Sequence, residues 1–264
     1  MKILLKIAYD GTCFAGWQFQ PGKVTVQKEL NDACSRLFGF ECDVTGCSRT
    51  DAGVHAFGFC ATVAARGKSS IETSVPPRQA ARALNRFLPP EISVISSEAV
   101  SDLFHPRYSA VAKTYMYLIS ASSVKNPFFA NRVFVPKTPL FESAPALMNE
   151  AAALLCGRHD FSSYMSSGSS VHDTVREIFS CSVISENGIL AVKIRGNGFL
   201  YNMVRIISGT LLEVGFGRIP PGDIAKITAA ADRSAAGPTL PPYGLYLCSV
   251  DYPQEAFRDP GILG

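Results

Sequence analysis

The segment from Lys2 to Tyr9 reads as a strand, followed by a loop and then by a helix over Val26 to Phe38. In that helix Val26, Leu30, Ala33, Cys34, Leu37 and Phe38 fall on one face at helical spacing. Thr25 is placed to cap its start and Gly39 to end it. A strand near Glu41 to Thr45 leads into a loop around Asp51, and a second strand follows from about Ala56 to Ala64. A helix from roughly Pro77 to Phe87 and a strand from Glu91 to Ala99 complete the order β-α-β-β-α-β.

The second half repeats that order. Thr114 to Ser120 is a strand in which Tyr115, Tyr117 and Ile119 share one face. A helix is expected from about Ala144 to Cys156, with Ser143 as its cap. Strands near Val175 to Ile184 and Ile189 to Arg195 are joined through Asn187-Gly188, a strong hairpin signal. Helices from about Phe199 to Val214 and Asp223 to Ala231 precede a last strand near Leu245 to Val250. The fold class is therefore α+β, with two tandem ferredoxin-like units and no accompanying sequence repeat. We place the first domain at residues 1–108 and the second at 109–264, with the linker around Ser101 to Ala112. Two such sheets side by side could make one broad sheet with helices on a single face, and the cleft between the halves would collect residues from both, a common place for a ligand site. The serine-rich stretch from Ser162 to Thr174 reads as a mobile loop.

A chain of 264 residues, 47% hydrophobic and 18% charged, is a folded globular protein and not a disordered one. Lys2 and Lys6 flank only three consecutive apolar positions, too short a run for a signal-peptide core. The most apolar later segment, Met203 to Phe216, is broken by Arg205 and Glu213, so no membrane span is expected. A soluble, cytoplasmic protein follows. None of the eight cysteines forms a Cys-x-x-Cys pair, and none has zinc-like spacing with the four histidines. They read as free, mainly buried thiols. The net charge of +3 permits a nucleic-acid partner without requiring one. Arg78, Arg82 and Arg86 recur at four-residue spacing, which would line them along one helix face, for phosphate contact or simply for solvation.

The chemistry concentrates in Ser48-Arg49-Thr50-Asp51-Ala52-Gly53-Val54-His55-Ala56. Gly53 lets the chain turn sharply and present the Asp51 carboxylate, beside a fork of donors on Arg49 and a hydroxyl on Thr50. Cys47, four residues earlier, would be the competing nucleophile, but its neighbours offer no clear general base. No Rossmann fingerprint, P-loop or metal-ligand cluster is present in the sequence. Arg205 sits in an otherwise apolar stretch, Phe199-Leu200 and Met203-Val204 before Ile206-Ile207, where an unpaired charge is costly. Either it has an acidic partner, for which Asp51 is a candidate, or it lies on a polar stripe of its helix.

The Asp51 stretch resembles the motif of the TruA family of pseudouridine synthases, and the resemblance runs through nearly the whole chain. Tyr9-Asp10-Gly11-Thr12 and Gly16-Trp17-Gln18 are similar to that family's opening block. Ala83-Leu84-Asn85 with Leu88-Pro89, and Phe104 to Ala110, follow in order. Lys113-Thr114-Tyr115-Met116-Tyr117 resembles its second motif, Gly196 to Arg205 its third, and Ala236 to Leu247 its closing block. Ser48, where glycine is frequent, and Phe57-Gly58-Phe59, where Thr-Gly-Gln is frequent, depart from the pattern and put only the loop's shape in doubt.

The resemblance implies a cofactor-free isomerase that turns uridine into pseudouridine at positions 38, 39 and 40 of the tRNA anticodon stem-loop. It implies Asp51 as nucleophile and Arg205 as its ionic partner. Tyr115 would pack on the target base, and Arg49 would help extrude the nucleotide. It also implies an extended antiparallel sheet with a central active-site cleft between two similar domains, and a homodimer that grips one tRNA. His55 is a further candidate RNA contact, or else a loop residue satisfied by backbone groups. Two rivals stand beside this reading. A non-catalytic RNA-binding protein could use sheet aromatics alone. A nucleoside glycosidase also needs a carboxylate at C1′, but ordinarily a second one, which the motif lacks.

Overall fold

The computed structural model describes residues 1–168 and 171–257. The chain forms two compact units, one of Met1–Val111 with the segment from Leu247 onward, the other of Ala112–Tyr246. Both are mixed α+β and antiparallel.

In the first unit, β1 (Lys2–Tyr9) lies between β3 (His55–Ala65) and β4 (Ile92–Val100), antiparallel to both. β2 (Cys42–Gly46) pairs with the far end of β3, from Cys42 opposite Ala65 to Gly46 opposite Ala61. Nearer the start of β3, Gly58 faces the Cys248 carbonyl of the C-terminal strand β9 (Leu245–Asp251), at a distance that a Cβ would reduce to 2.4 Å. β3 is flanked on both edges, and its side chains are buried on both faces along almost its whole length.

Helix α1 (Val26–Phe38) has the expected ends. The Thr25 hydroxyl accepts the Lys28 N–H at 3.3 Å, and Gly39 closes the helix at φ 79°. Val26, Leu30, Ala33 and Cys34 are its buried stripe. The next helix is shorter than the expected Pro77 to Phe87. A 3-10 turn over Pro77–Gln79 runs into α2 (Ala80–Leu84), and there it stops. The side chain of Asn85 is drawn to β4, where it exchanges hydrogen bonds with the Val94 backbone at 2.7 and 3.0 Å. Arg86 lies beyond the helix end, so the three arginines do not share one helix face.

The second unit orders its strands β5 (Ala112–Ser120), β8 (Ile189–Gly196), β7 (Val175–Glu186), β6 (Gly157–Asp160). The hairpin between β7 and β8 turns on Asn187 and Gly188, both left-handed at φ 50° and 75°, as its two-residue loop demands. β6 carries no apolar alternation and lies exposed beside β7, which is why no periodicity announces it.

Helix α3 (Ala144–Ala153) packs on β7 and against α4 (Met203–Gly215), which covers β5; α5 (Asp223–Ala229) follows. Ser143 does not cap α3. It has helical backbone angles and makes no side-chain cap bond, and Pro145 in the first turn has no N–H to donate to it. Helix α4 begins four residues later than the expected Phe199, because Asn202 before it is left-handed at φ 61°. Of the serine-rich stretch, Ser162–Tyr164 form a 3-10 turn, and residues 169–170 lie outside the described residues. Among the described residues no helix is long and apolar enough to cross a membrane.

Candidate active site

Asp51 sits, half-buried, on the loop between β2 and β3. The loop is gripped residue by residue from the chain's opening block. Thr50 is buried, and its hydroxyl meets the Tyr9 phenol at 2.7 Å while its carbonyl accepts the Trp17 N–H at 3.0 Å. Gly16 lies so close beneath that a Cβ on it would stand 2.8 Å from the same carbonyl, and its φ of +89° is itself a glycine conformation. The turn closes with the Val54 N–H donating to the Asp51 carbonyl at 3.2 Å, over Gly53 at φ +79°. This is the sharp presentation expected of Gly53.

Two further contacts fix the stem. Trp17 stacks on Phe59 with centroids 4.0 Å apart, and both rings are buried. Cys47 donates its N–H to Cys60 at 2.8 Å, and its sulfur accepts the Cys60 N–H at 3.4 Å. Cys47 is fully buried, and burial pushes the Cys60 thiol beside it up to about 11. Cys47 has no exposed surface to offer a substrate, so the rival cysteine nucleophile has no support.

Arg49 is exposed next to this loop. His55, by contrast, is only 2% exposed, and its Nδ1 accepts the Gly11 N–H at 3.1 Å. The ring therefore meets almost no solvent and takes a backbone donor.

The second unit positions Tyr115 and Arg205. Tyr115, on β5, is 7% exposed and meets Phe199 edge to face, with centroids 5.0 Å apart. Tyr117, two residues on, is a core residue. Its hydroxyl donates to the Pro241 carbonyl at 2.7 Å, and its ring fills the space that a Cβ on Gly244 would need.

Arg205 lies half-buried in the first turn of α4. Its Nε donates to the Leu240 carbonyl at 2.7 Å and its Nη1 to Asn202 Oδ1 at 2.6 Å. Asn202 in turn donates its amide to Ser166 Oγ at 3.0 Å. Both acceptors are neutral, so they orient the guanidinium without cancelling its charge. The closing block is pressed onto α4 to make this possible. A Cβ on Gly209 would stand 1.9 Å from the Pro238 carbonyl, and the Gly237 N–H donates to Thr210 Oγ1 at 2.9 Å.

The structure thus gathers Asp51, Arg49 and His55 in the first unit and Tyr115 and Arg205 in the second. The supports were not foreseen: Tyr9 on Thr50, Asn202 and the Leu240 carbonyl on Arg205, Phe199 on Tyr115. Each is a contact distant in sequence or a special backbone angle, and only the motif blocks that contain them were visible beforehand. Among the described residues no cluster of three or more His, Cys, Asp or Glu side chains could hold a metal ion.

Known proteins resemble the chain over nearly its whole length. The family model described as tRNA pseudouridine synthase matches residues 6–109 and 151–253, a span that takes in Asp51 and Arg205. The tRNA pseudouridine synthase A of Caldicellulosiruptor saccharolyticus is 44% identical over 251 residues, covering 95% of this chain and 99% of that relative. The proteins of that name in Ruminiclostridium cellulolyticum and Bacillus pumilus are 42% and 41% identical, covering 95% and 96% of this chain and 99% of each relative. With matches at this identity over nearly the full length, the chain belongs to the tRNA pseudouridine synthase family.

Proposed function

We propose that this tRNA isomerase acts on uridines of the anticodon stem-loop, at positions 38, 39 and 40, with Asp51 as the nucleophile. The observation that carries the reading is the Asp51 turn. A carboxylate is held at the head of a loop whose neighbours, Thr50 and Val54, are both locked from beneath. Such fixing spends no binding energy on ordering the nucleophile when substrate arrives.

The chemistry follows from the residues. Uridine loses its N1–C1′ bond, the base turns, and a C5–C1′ bond forms as C5 gives up its proton and N1 takes one up. The atoms balance without oxidant, reductant or energy source. Asp51 contributes a transient covalent bond, to C1′ of the sugar or C6 of the base, that holds one of the two pieces while the base turns. A positive charge beside a carboxylate favours its ionised, nucleophilic form, and Arg205, its guanidinium oriented by Leu240 and Asn202, is assigned this role. Tyr115 is assigned to the face of the uracil, a contact of about 1–3 kcal/mol. Arg49, exposed beside the loop, is assigned to the backbone of the extruded nucleotide, whose flipping costs roughly a few kcal/mol. Action in the cytoplasm, as a homodimer on one tRNA, belongs to the same proposal.

The test is tritium release from an unmodified tRNA transcript labelled at uridine C5, without added metal or nucleotide, beside Asp51→Ala. Release by the wild type alone, with no free uracil, is the expected result. Free uracil would mean a glycosidase. Tight tRNA binding with no release by either protein would mean an RNA-binding protein.

A further inference from the structure

The His55 ring sits under the Asp51 turn with two partners competing for one atom. Nδ1 lies 3.1 Å from the Gly11 N–H and 3.2 Å from Asp10 Oδ1. The N–H needs a lone pair on that nitrogen, whereas the carboxylate needs a proton on it, so only one can be satisfied at a time. Asp10 has other donors: the backbone N–H and the hydroxyl of Thr12 bond to the same Oδ1 at 3.0 and 2.5 Å. Gly11 is buried, and a proton on Nδ1 would deprive its N–H of this acceptor.

Gly11 matters because of what it touches. A Cβ on it would stand 2.0 Å from the Val54 carbonyl oxygen, so its backbone lies directly against Val54. Val54 in turn closes the turn by donating to the Asp51 carbonyl. The contacts run from His55 Nδ1 to Gly11, to Val54, to Asp51.

We propose that His55 is a positioning residue for Asp51, acting as the neutral tautomer with its proton on Nε2 and with Nδ1 as the acceptor that seats Gly11. The assignment rests on the reading of Asp51 as nucleophile. His55 reaches the reaction only through that turn.

The test compares His55→Asn with His55→Leu. The two replacements have nearly the same shape and leave the same space behind, but only asparagine keeps an acceptor near the Nδ1 position. Single-turnover tritium release and tRNA affinity are measured for both, beside wild type and Asp51→Ala. His55→Leu is expected to slow turnover about tenfold or more with affinity little changed, and His55→Asn to recover most of the loss. In the wild type, the imidazole 15N spectrum at neutral pH is expected to show Nδ1 bare and Nε2 protonated.

Equal loss in both variants, or wild-type turnover in His55→Leu, overturns the proposal. A proton on Nδ1 overturns it too, and that readout needs no variant to fold. If Asp51→Ala still releases tritium, the nucleophile reading itself has failed, and the role given to His55 falls with it.

Discussion

The Tyr9 phenol and the Thr50 hydroxyl meet at 2.7 Å, joining β1 to the residue just before Asp51. Both side chains are buried, Tyr9 to 5% exposure and Thr50 to 9%, so neither group finds water when the other is removed. The contact is the most direct tie between the sheet and the loop that holds the carboxylate. Tyr9→Phe keeps the ring and its tilted contact with Phe59, and deletes the bond to Thr50. The expected cost is about 1–2 kcal/mol of stability, read as a lower midpoint in urea unfolding. Turnover is expected to fall while tRNA affinity holds, since the loop is loosened and no surface is changed.

Gly209 gives a matching prediction for the other unit. Its Cα faces the Pro238 carbonyl so closely that a Cβ would stand 1.9 Å from that oxygen, backbone against backbone. Gly209→Ala must push the closing block off α4, and with it the Leu240 carbonyl that receives Arg205 Nε. A loss of about 1–3 kcal/mol is expected from overpacking, with a larger fractional loss of turnover than Tyr9→Phe causes. Unchanged stability in thermal unfolding would show that the closing block does not bear on the helix.

How much of this was legible beforehand differs between fold and site. Thr25, the stripe Val26 to Cys34 and Gly39 marked α1 to the residue, because each of those signals is local. The Asn187-Gly188 turn was equally plain. What failed were features whose cause lies elsewhere in the chain. Asn85 ends α2 by bonding to a strand nine residues on, and Asn202 delays α4 by a left-handed turn. The last strand, read as closing the second repeat, belongs from Leu247 onward to the first unit, which no periodicity can show. Of the site, the residues expected to react were picked out by motif, whereas their supports are long-range contacts. His55 was open to two readings, an RNA contact or a loop residue satisfied by backbone groups, because a motif loop allows both and burial is not written in the sequence.

Acid should act on the second unit at an identifiable point. The Asp160 carboxyl is held below the usual range, mainly by the hydroxyl of Ser162, then by Thr174 and the Ser162 N–H at 2.9 Å. A folded-state value below the unfolded one means stability that is present above the unfolded value, about 4, and is lost as pH falls through the folded one. Asp160→Asn should therefore be less stable than wild type near neutral pH, with the difference closing below pH about 4. Unfolding midpoints measured at both ends of that range check the sign. A gap that stayed constant with pH would place the effect in packing and not in charge.

Asn202 offers a way to separate the orientation of Arg205 from the integrity of α4. The residue does two things at once: its backbone takes φ 61° ahead of the helix, and its amide bridges Arg205 Nη1 and Ser166 Oγ. Asn202→Gly keeps the first and removes the second, because glycine adopts that angle freely. Asn202→Ala removes both and adds strain at a position where a Cβ is disfavoured, of order 1–2 kcal/mol. If the amide serves to aim the guanidinium, the glycine variant should unfold near the wild-type midpoint and yet lose turnover, by roughly tenfold for one charged hydrogen bond. The alanine variant should lose both. Arg205→Lys completes the comparison, since lysine keeps the charge and loses the fork that meets Leu240 and Asn202 together. Turnover in Arg205→Lys well below that of Asn202→Gly would show that the fork matters beyond the asparagine. Equal turnover in the two would assign the whole of the orienting effect to Asn202, with the Leu240 bond contributing only to stability.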